Sequence, residues 1–270
     1  MHKKIRLFLC PFRLKIAPDR AALTLIVLFI ASALAFAQTD EIQVYDGSIA
    51  APGKFTLTIH NNFTPDGLKK PAFPGGLISD KSLNGVTEWA YGVTKWFEAG
   101  LYLPLYSVSK DRGATINGGK IRLLFTAPNA DDRTFFYGAN FEFSFNSNHW
   151  DPRPFTSEIR PIIGVHLNPM DITINPILDN SFLGGFSNLE FVPAVRVAYN
   201  ASSKWAIAVE EYSDIGPLRE FRPVSEQSHQ LYGVLDHKGK SLEIEAGIGF
   251  GLTPESDKVN LKLLLLWNLN

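Results

Sequence analysis

Between Phe135 and Asn146 the sequence FFYGANFEFSFN puts Phe135, Tyr137, Ala139, Phe141, Phe143 and Phe145 on one parity and Gly138, Asn140, Glu142, Ser144 and Asn146 on the other. Side chains along a strand point alternately to opposite faces of a sheet, so this segment predicts a strand with one apolar and one polar face. SLEIEAGIGFGL, from Ser241 to Leu252, does the same: Leu242, Ile244, Ala246, Ile248 and Phe250 oppose Glu243, Glu245, Gly247, Gly249 and Gly251. The pattern recurs from Phe55 to Leu269, and twelve strands account for it. Such strands either bury the apolar face in a soluble sandwich or turn it outward to lipid around a polar lumen.

Three features favour lipid. The connections alternate in length: TPDGLKKPAFPGGLISDKS, SVSKDRGATIN and SDIGPLREFRPVSEQS are long, while TKW, LNP, NASS and HKGK are short. Outer-membrane barrels join an even number of strands by short periplasmic turns and longer outer loops. With the strands laid up and down, Phe55, Phe97, Phe135, Tyr137, Tyr199, Trp205 and Trp267 fall near the short-turn end, and Phe145 and Phe155 near the other. Aromatic side chains collect at the two bilayer interfaces in this way. The N-terminus supplies the third feature. A basic stretch, MHKKIRLFLCPFRLKIAPDR, precedes the apolar run AALTLIVLFIASALA and an Ala35-Phe36-Ala37 cleavage pattern, which together predict a secretory signal peptide over residues 1–37. The expected organisation is that leader, a periplasmic segment over residues 38–52, and an all-β, transmembrane, antiparallel up-and-down barrel over residues 53–270 with both termini in the periplasm.

Cleavage removes six basic residues and one acid, leaving 20 basic against 26 acidic residues and a net charge of −6. That balance argues against a nucleic-acid partner. Cys10, the single cysteine, lies in the leader, so the mature chain has no disulfide.

In the barrel reading the charged side chains converge on the lumen. Glu88, Glu98, Glu142, Glu158, Glu190, Glu210, Glu243 and Glu245 face Lys120, Arg122, Arg160, Arg196 and Lys262. Neighbouring strands lie about 4.8 Å apart, so these groups are placed to pair across the wall. Two readings stay open: a charged constriction that selects solutes, or a network that satisfies buried charges and props a narrow wall. Glu243 and Glu245 have no basic neighbour on their own strand, and Lys262 is placed toward the opposite end, which marks them as a lumenal acidic patch. No catalytic motif emerges: Ser157 and Ser228 beside His229 form no recognisable nucleophile–base arrangement. His60, His166, His229 and His237 lack metal-ligand spacing, so no metal or cofactor is expected.

EWAYGVT, WFEAGLYLPLYS, FFYGANFEF and SEIRPIIGVHL resemble segments of Gram-negative outer-membrane β-barrel proteins. EIQVYDGSIAAPG, HNN, PAVRVAYN and VEEYSDIGPL resemble, more narrowly, an uncharacterised set related to the outer-membrane family named for the MetA pathway of phenol degradation. The resemblance implies an outer-membrane channel or transporter for passive passage of small solutes, with aromatic or other hydrophobic compounds as the solute class, and supplies no binding residues. It also implies outer-membrane lipid and the barrel-assembly machinery as partners. The chain ends LWNLN, so Trp267 rather than the last residue is its final aromatic. A non-conducting structural or adhesive barrel and an outer-membrane lipid-modifying enzyme are the competing expectations. Residues 64–82 and 213–227 are the loops expected to set selectivity.

Overall fold

The computed structural model describes residues 40–182 and 189–269, which belong to one compact unit. The expected signal peptide lies outside the described residues. The chain forms a closed antiparallel barrel of 12 strands. They are β1 (Phe55–Asp66), β2 (Ser82–Gly92), β3 (Phe97–Ser109), β4 (Gly113–Thr126), β5 (Phe135–Asn146) and β6 (Phe155–His166). Three interrupted strands follow: β7 (Met170–Asn175 with Leu178–Asn180), β8 (Glu190–Phe191 with Ala194–Asn200) and β9 (Trp205–Asp214 with Gly216–Pro217). β10 (Ser228–Lys238), β11 (Leu242–Gly251) and β12 (Val259–Asn268) complete the wall.

Each strand pairs with its sequence neighbours, and β12 closes on β1 through Thr56↔Asn268 to Phe63↔Leu261. The uninterrupted strands run 10–14 residues, enough to cross a hydrocarbon core, where a tilted strand needs about 9–11. The first two strands are longer than the alternation alone indicates: β1 continues to Asp66 and β2 begins at Ser82, because polar residues such as Asn62, Thr64 and Asn84 on the inner face extend the pairing. The interruptions in β7 and β8 fall at Pro176 and Pro193, which lack the N–H that a ladder requires.

The outward parity is exposed and apolar, as the alternation predicts; Phe135, Tyr137, Phe143 and Phe145 on β5 and Trp205, Ile207 and Val209 on β9 show it. Rings meet across strands at the short-turn end, with Phe97 stacked on Phe125 at 4.8 Å and Phe55 tilted against Tyr91 at 4.6 Å. Phe145 meets Phe155 at 5.5 Å at the other rim.

The segment over residues 40–52 departs from expectation. Placed in the periplasm by sequence, its first part instead enters the barrel, with Asp40, Glu41, Ile42, Val44 and Tyr45 buried, while Asp46, Ser48, Ala51 and Pro52 are exposed. Its apolar side chains supply what a polar lumen lacks. Ile42 packs with Ala198, Ala208, Tyr232 and Val234; Val44 packs with Ile177 and Ala194; Tyr45 packs with Leu124, Phe136 and Ile162. Toward the long loops, Leu77 and Trp150 fold inward over Val86, Tyr102 and Leu105.

Candidate functional site: the lumen and its inner segment

An extended chain inside a barrel must find partners for its backbone groups, because each unpaired buried N–H or C=O is costly. The wall provides them. Asn175 of β7 accepts from the Tyr45 N–H at 2.7 Å and donates to the Tyr45 carbonyl at 3.0 Å. Asn62 of β1 donates to the Asp40 carbonyl at 2.9 Å, Arg160 of β6 to the Gln43 carbonyl at 3.0 Å, and Lys262 of β12 to the Ile42 carbonyl at 3.3 Å. Glu98 of β3 accepts from the Ala50 N–H. Farther along, the segment grazes β2 so closely that a Cβ on Gly92 would lie 2.2 Å from the Ala50 carbonyl oxygen, which restricts that strand position to glycine.

Most of the charges on the polar parity gather in two groups on either side of this segment, while Glu190 pairs with Arg222 and Glu243 stands apart from both. On the β1–β6 side, Arg122 bridges Glu88 at 2.7 Å and Glu98, while His60 completes the contact to Glu88 at 2.9 Å. Lys120 pairs with Glu142 at 3.2 Å and with Asp40 of the segment at 2.8 Å. Arg160 pairs with Glu158 at 2.6 Å and with Glu41 of the segment at 3.2 Å. Tyr45 is the centre of this group. The Arg160 guanidinium lies 4.4 Å and that of Arg122 5.5 Å from its ring centroid, and its hydroxyl is 2.5 Å from that of Tyr102. A ring face attracts cations through its quadrupole, and two cations around one ring fix the side chain between the walls.

On the β8–β12 side, Arg196 meets Glu210 and Asp236 directly and Glu245 at 3.6 Å. Lys262 meets Glu210, and Glu245 at 2.6 Å. Glu245 is therefore not part of a free acidic patch. Lys262 sits opposite Gly247, one diagonal step from Glu245, and the missing Cβ at Gly247 leaves room for the lysine chain, whose Cε would lie 3.1 Å from it. Among the described residues Glu243 carries no such pair; it stands near the short-turn rim, opposite Lys238 in the β10–β11 ladder.

The alternation that marks the wall says nothing of the inner segment. Its signals were the acids Asp40 and Glu41, which balance Lys120 and Arg160, and the apolar residues Ile42, Val44 and Tyr45 in a stretch assigned to water.

His229 meets Ser213 rather than Ser228. The Ser213 hydroxyl is 2.7 Å and the Glu211 carboxylate 3.2 Å from the same nitrogen, Nδ1, and Gln227 occupies Nε2 at 2.9 Å. Ser228 lies 3.2 Å from the Ser256 hydroxyl. Ser213 is buried, and its own N–H is taken by the Pro193 carbonyl. Serine and carboxylate crowd one imidazole nitrogen, so this cluster does not have the relay in which the base takes the nucleophile's proton on one nitrogen and is oriented by an acid on the other.

No family model matches the chain, and no curated protein matches it. Among solved structures, it is similar to an outer membrane channel from Pseudomonas putida F1, at 12% identity over 84% of this chain and 99% of that one, with a TM-score of 0.55. It is also similar to the KdgM porin in complex with disordered oligogalacturonate, at 8% identity over 80% of this chain and 99% of that one, with a TM-score of 0.51. At these identities the likeness establishes a shared barrel fold.

Proposed function

We propose that the protein is a bacterial outer-membrane channel for passive passage of small solutes, exported through a cleaved leader and closed at rest by its own segment over residues 40–52. The observation that carries this reading is the division of labour in the lumen. Lys120, Arg160 and Lys262 hold the segment while also pairing with wall carboxylates, so each of these cations keeps a wall partner whether or not the segment is seated. Aromatic or other hydrophobic solutes are the narrower form of the reading, and they rest on the sequence resemblance. The outward apolar parity and stacked rim aromatics support outer-membrane lipid as the surrounding partner. Insertion would rest with the barrel-assembly machinery. No covalent step is assigned to the lumen.

The test is planar-bilayer recording of the mature chain beside a variant lacking residues 40–50. Small or rare steps from the first and larger steps from the second support a segment-closed channel. Silence from both, with heat-modifiable gel mobility showing folded barrels, sinks it. That result would favour the non-conducting structural barrel, the reading that the filled lumen supports next best.

A further inference from the structure

We propose that the short-turn mouth of the barrel carries an oxyanion-binding subsite built on Lys204 and Lys238, and that the channel's solutes include small carboxylates or phosphates; the solute assignment rests on the channel reading above. The cations of the inner wall, Lys120, Arg122, Arg160, Arg196 and Lys262, each touch at least one carboxylate. Lys204 and Lys238 do not: neither forms an ion pair among the described residues. Their placement makes this unusual. The β9–β10 ladder pairs Trp205 with His237, and the Lys238 N–H then donates to the Lys204 carbonyl at 2.8 Å. The two lysines therefore stand cross-strand, an arrangement in which like charges repel.

Both lysines line a cavity of about 440 Å³ with Asn168, Asn200, Ser202 and Ser203. The cavity spans three consecutive short turns tied by backbone bonds, since the Asn200 N–H also donates to the Pro169 carbonyl at 2.7 Å. The Ser202 hydroxyl oxygen accepts from the Lys204 and Trp205 N–H groups at 3.2 and 3.1 Å, which leaves its own proton to donate into the cavity. Of the two nearby acids, one is committed and the other stands across the ladder from Lys238 beyond ion-pair distance. Asp171 is held by His166 at 2.7 Å and Asn200 at 2.6 Å, and Glu243 faces Lys238 without forming an ion pair. Two ammonium groups and serine hydroxyls lining one cavity suit an oxyanion.

Deeper in the lumen the inner segment packs Ile42 against Ala198, Ala208 and Val234 of this wall, and toward the mouth it crosses to the other side. It hugs β2 at Gly92, and β2 and β8 stand six strands apart in the twelve-strand order, on opposite sides of the barrel.

The experiment uses the folded mature chain and the double variant Lys204→Gln with Lys238→Gln, with gel mobility confirming that both are folded. Inorganic phosphate is titrated at constant ionic strength and followed by phosphorus NMR line width. The expected result is saturable broadening with the parent chain and affinity weakened about tenfold or more in the variant, the scale of 1.4 kcal/mol. Equal broadening by both chains, or none by the parent, overturns the subsite. A short-chain phosphatidylglycerol that binds at the lysines where phosphate and acetate do not would mark a lipid headgroup site and overturn the solute assignment. In bilayers, the variant's reversal potential is expected to shift toward cation preference relative to the parent, and an unshifted potential would overturn the solute assignment. Phosphate binding without any conductance would sink the channel reading while leaving the subsite in place.

Discussion

At the scale of single residues, the lumen is decided by a few buried charges whose partners are close and numerous. Arg122 serves Glu88, Glu98 and the Tyr45 hydroxyl together. Arg122→Gln leaves two buried carboxylates without their cation, which costs about 3–5 kcal/mol when one side of a buried pair is removed. The urea midpoint of the folded barrel in detergent should fall accordingly, and an unchanged midpoint would show that water reaches these groups. The two glutamates of SLEIEAGIGFGL should behave differently from each other. Glu245→Gln removes a 2.6 Å pair with Lys262 and is expected to lower the unfolding midpoint. Glu243→Gln, at a site with no such pair, should leave it within error. Ser213→Ala is expected to leave outer-membrane lipid composition unchanged, read by mass spectrometry of cells expressing the parent or the variant.

At the scale of elements, the inner segment behaves as a guest held by side chains, since its described backbone joins no strand ladder. Gly92→Val puts a side chain where the Ala50 and Ala51 carbonyls pass and should dislodge the segment while keeping the barrel, seen as raised conductance with unchanged gel mobility. The long loops are stapled to one another: Asp257, between β11 and β12, accepts from Leu68 N–H at 2.8 Å and from the Ser79 hydroxyl at 2.5 Å. Within the same loop, Lys69 bonds to Asp80 and holds its carboxyl below the usual carboxylate range. A depressed carboxyl contributes above its unfolded value, and the contribution is lost as pH falls through the lower folded one. The Asp80–Lys69 contact should therefore persist on acidification to the ordinary aspartate pKa and break only below it. A carboxyl carbon NMR titration of Asp80 checks this, and a midpoint at or above the ordinary value would refute it.

At the scale of the whole molecule, a single-file reading of parity was enough for the wall and insufficient for its contents. Alternation in strands such as Phe135–Asn146, together with loops of two lengths, determines that the chain is a twelve-stranded barrel with its apolar side outward. Both are local properties: the period comes from strand geometry, and turn length from the distance between adjacent strand ends. The shared polar parity of Lys120, Arg122, Glu142, Glu158, Arg160, Arg196, Glu243, Glu245 and Lys262 along their strands is legible for the same reason. Which of them meet is not, because ladder register and shear set the neighbours of a side chain across a closed sheet. Lys262 reaches Glu245 through a register that neither strand's sequence states. The same limit explains the segment over residues 40–52. Ile42, Val44 and Tyr45 show that it is apolar enough to be buried, but only barrel closure creates a lumen of the right width and brings Asn175, Arg160 and Lys262 to its backbone. The sequence by itself determined the wall and the direction of its faces; the tertiary structure decided what fills the lumen, because burial there depends on contacts between residues more than a hundred positions apart.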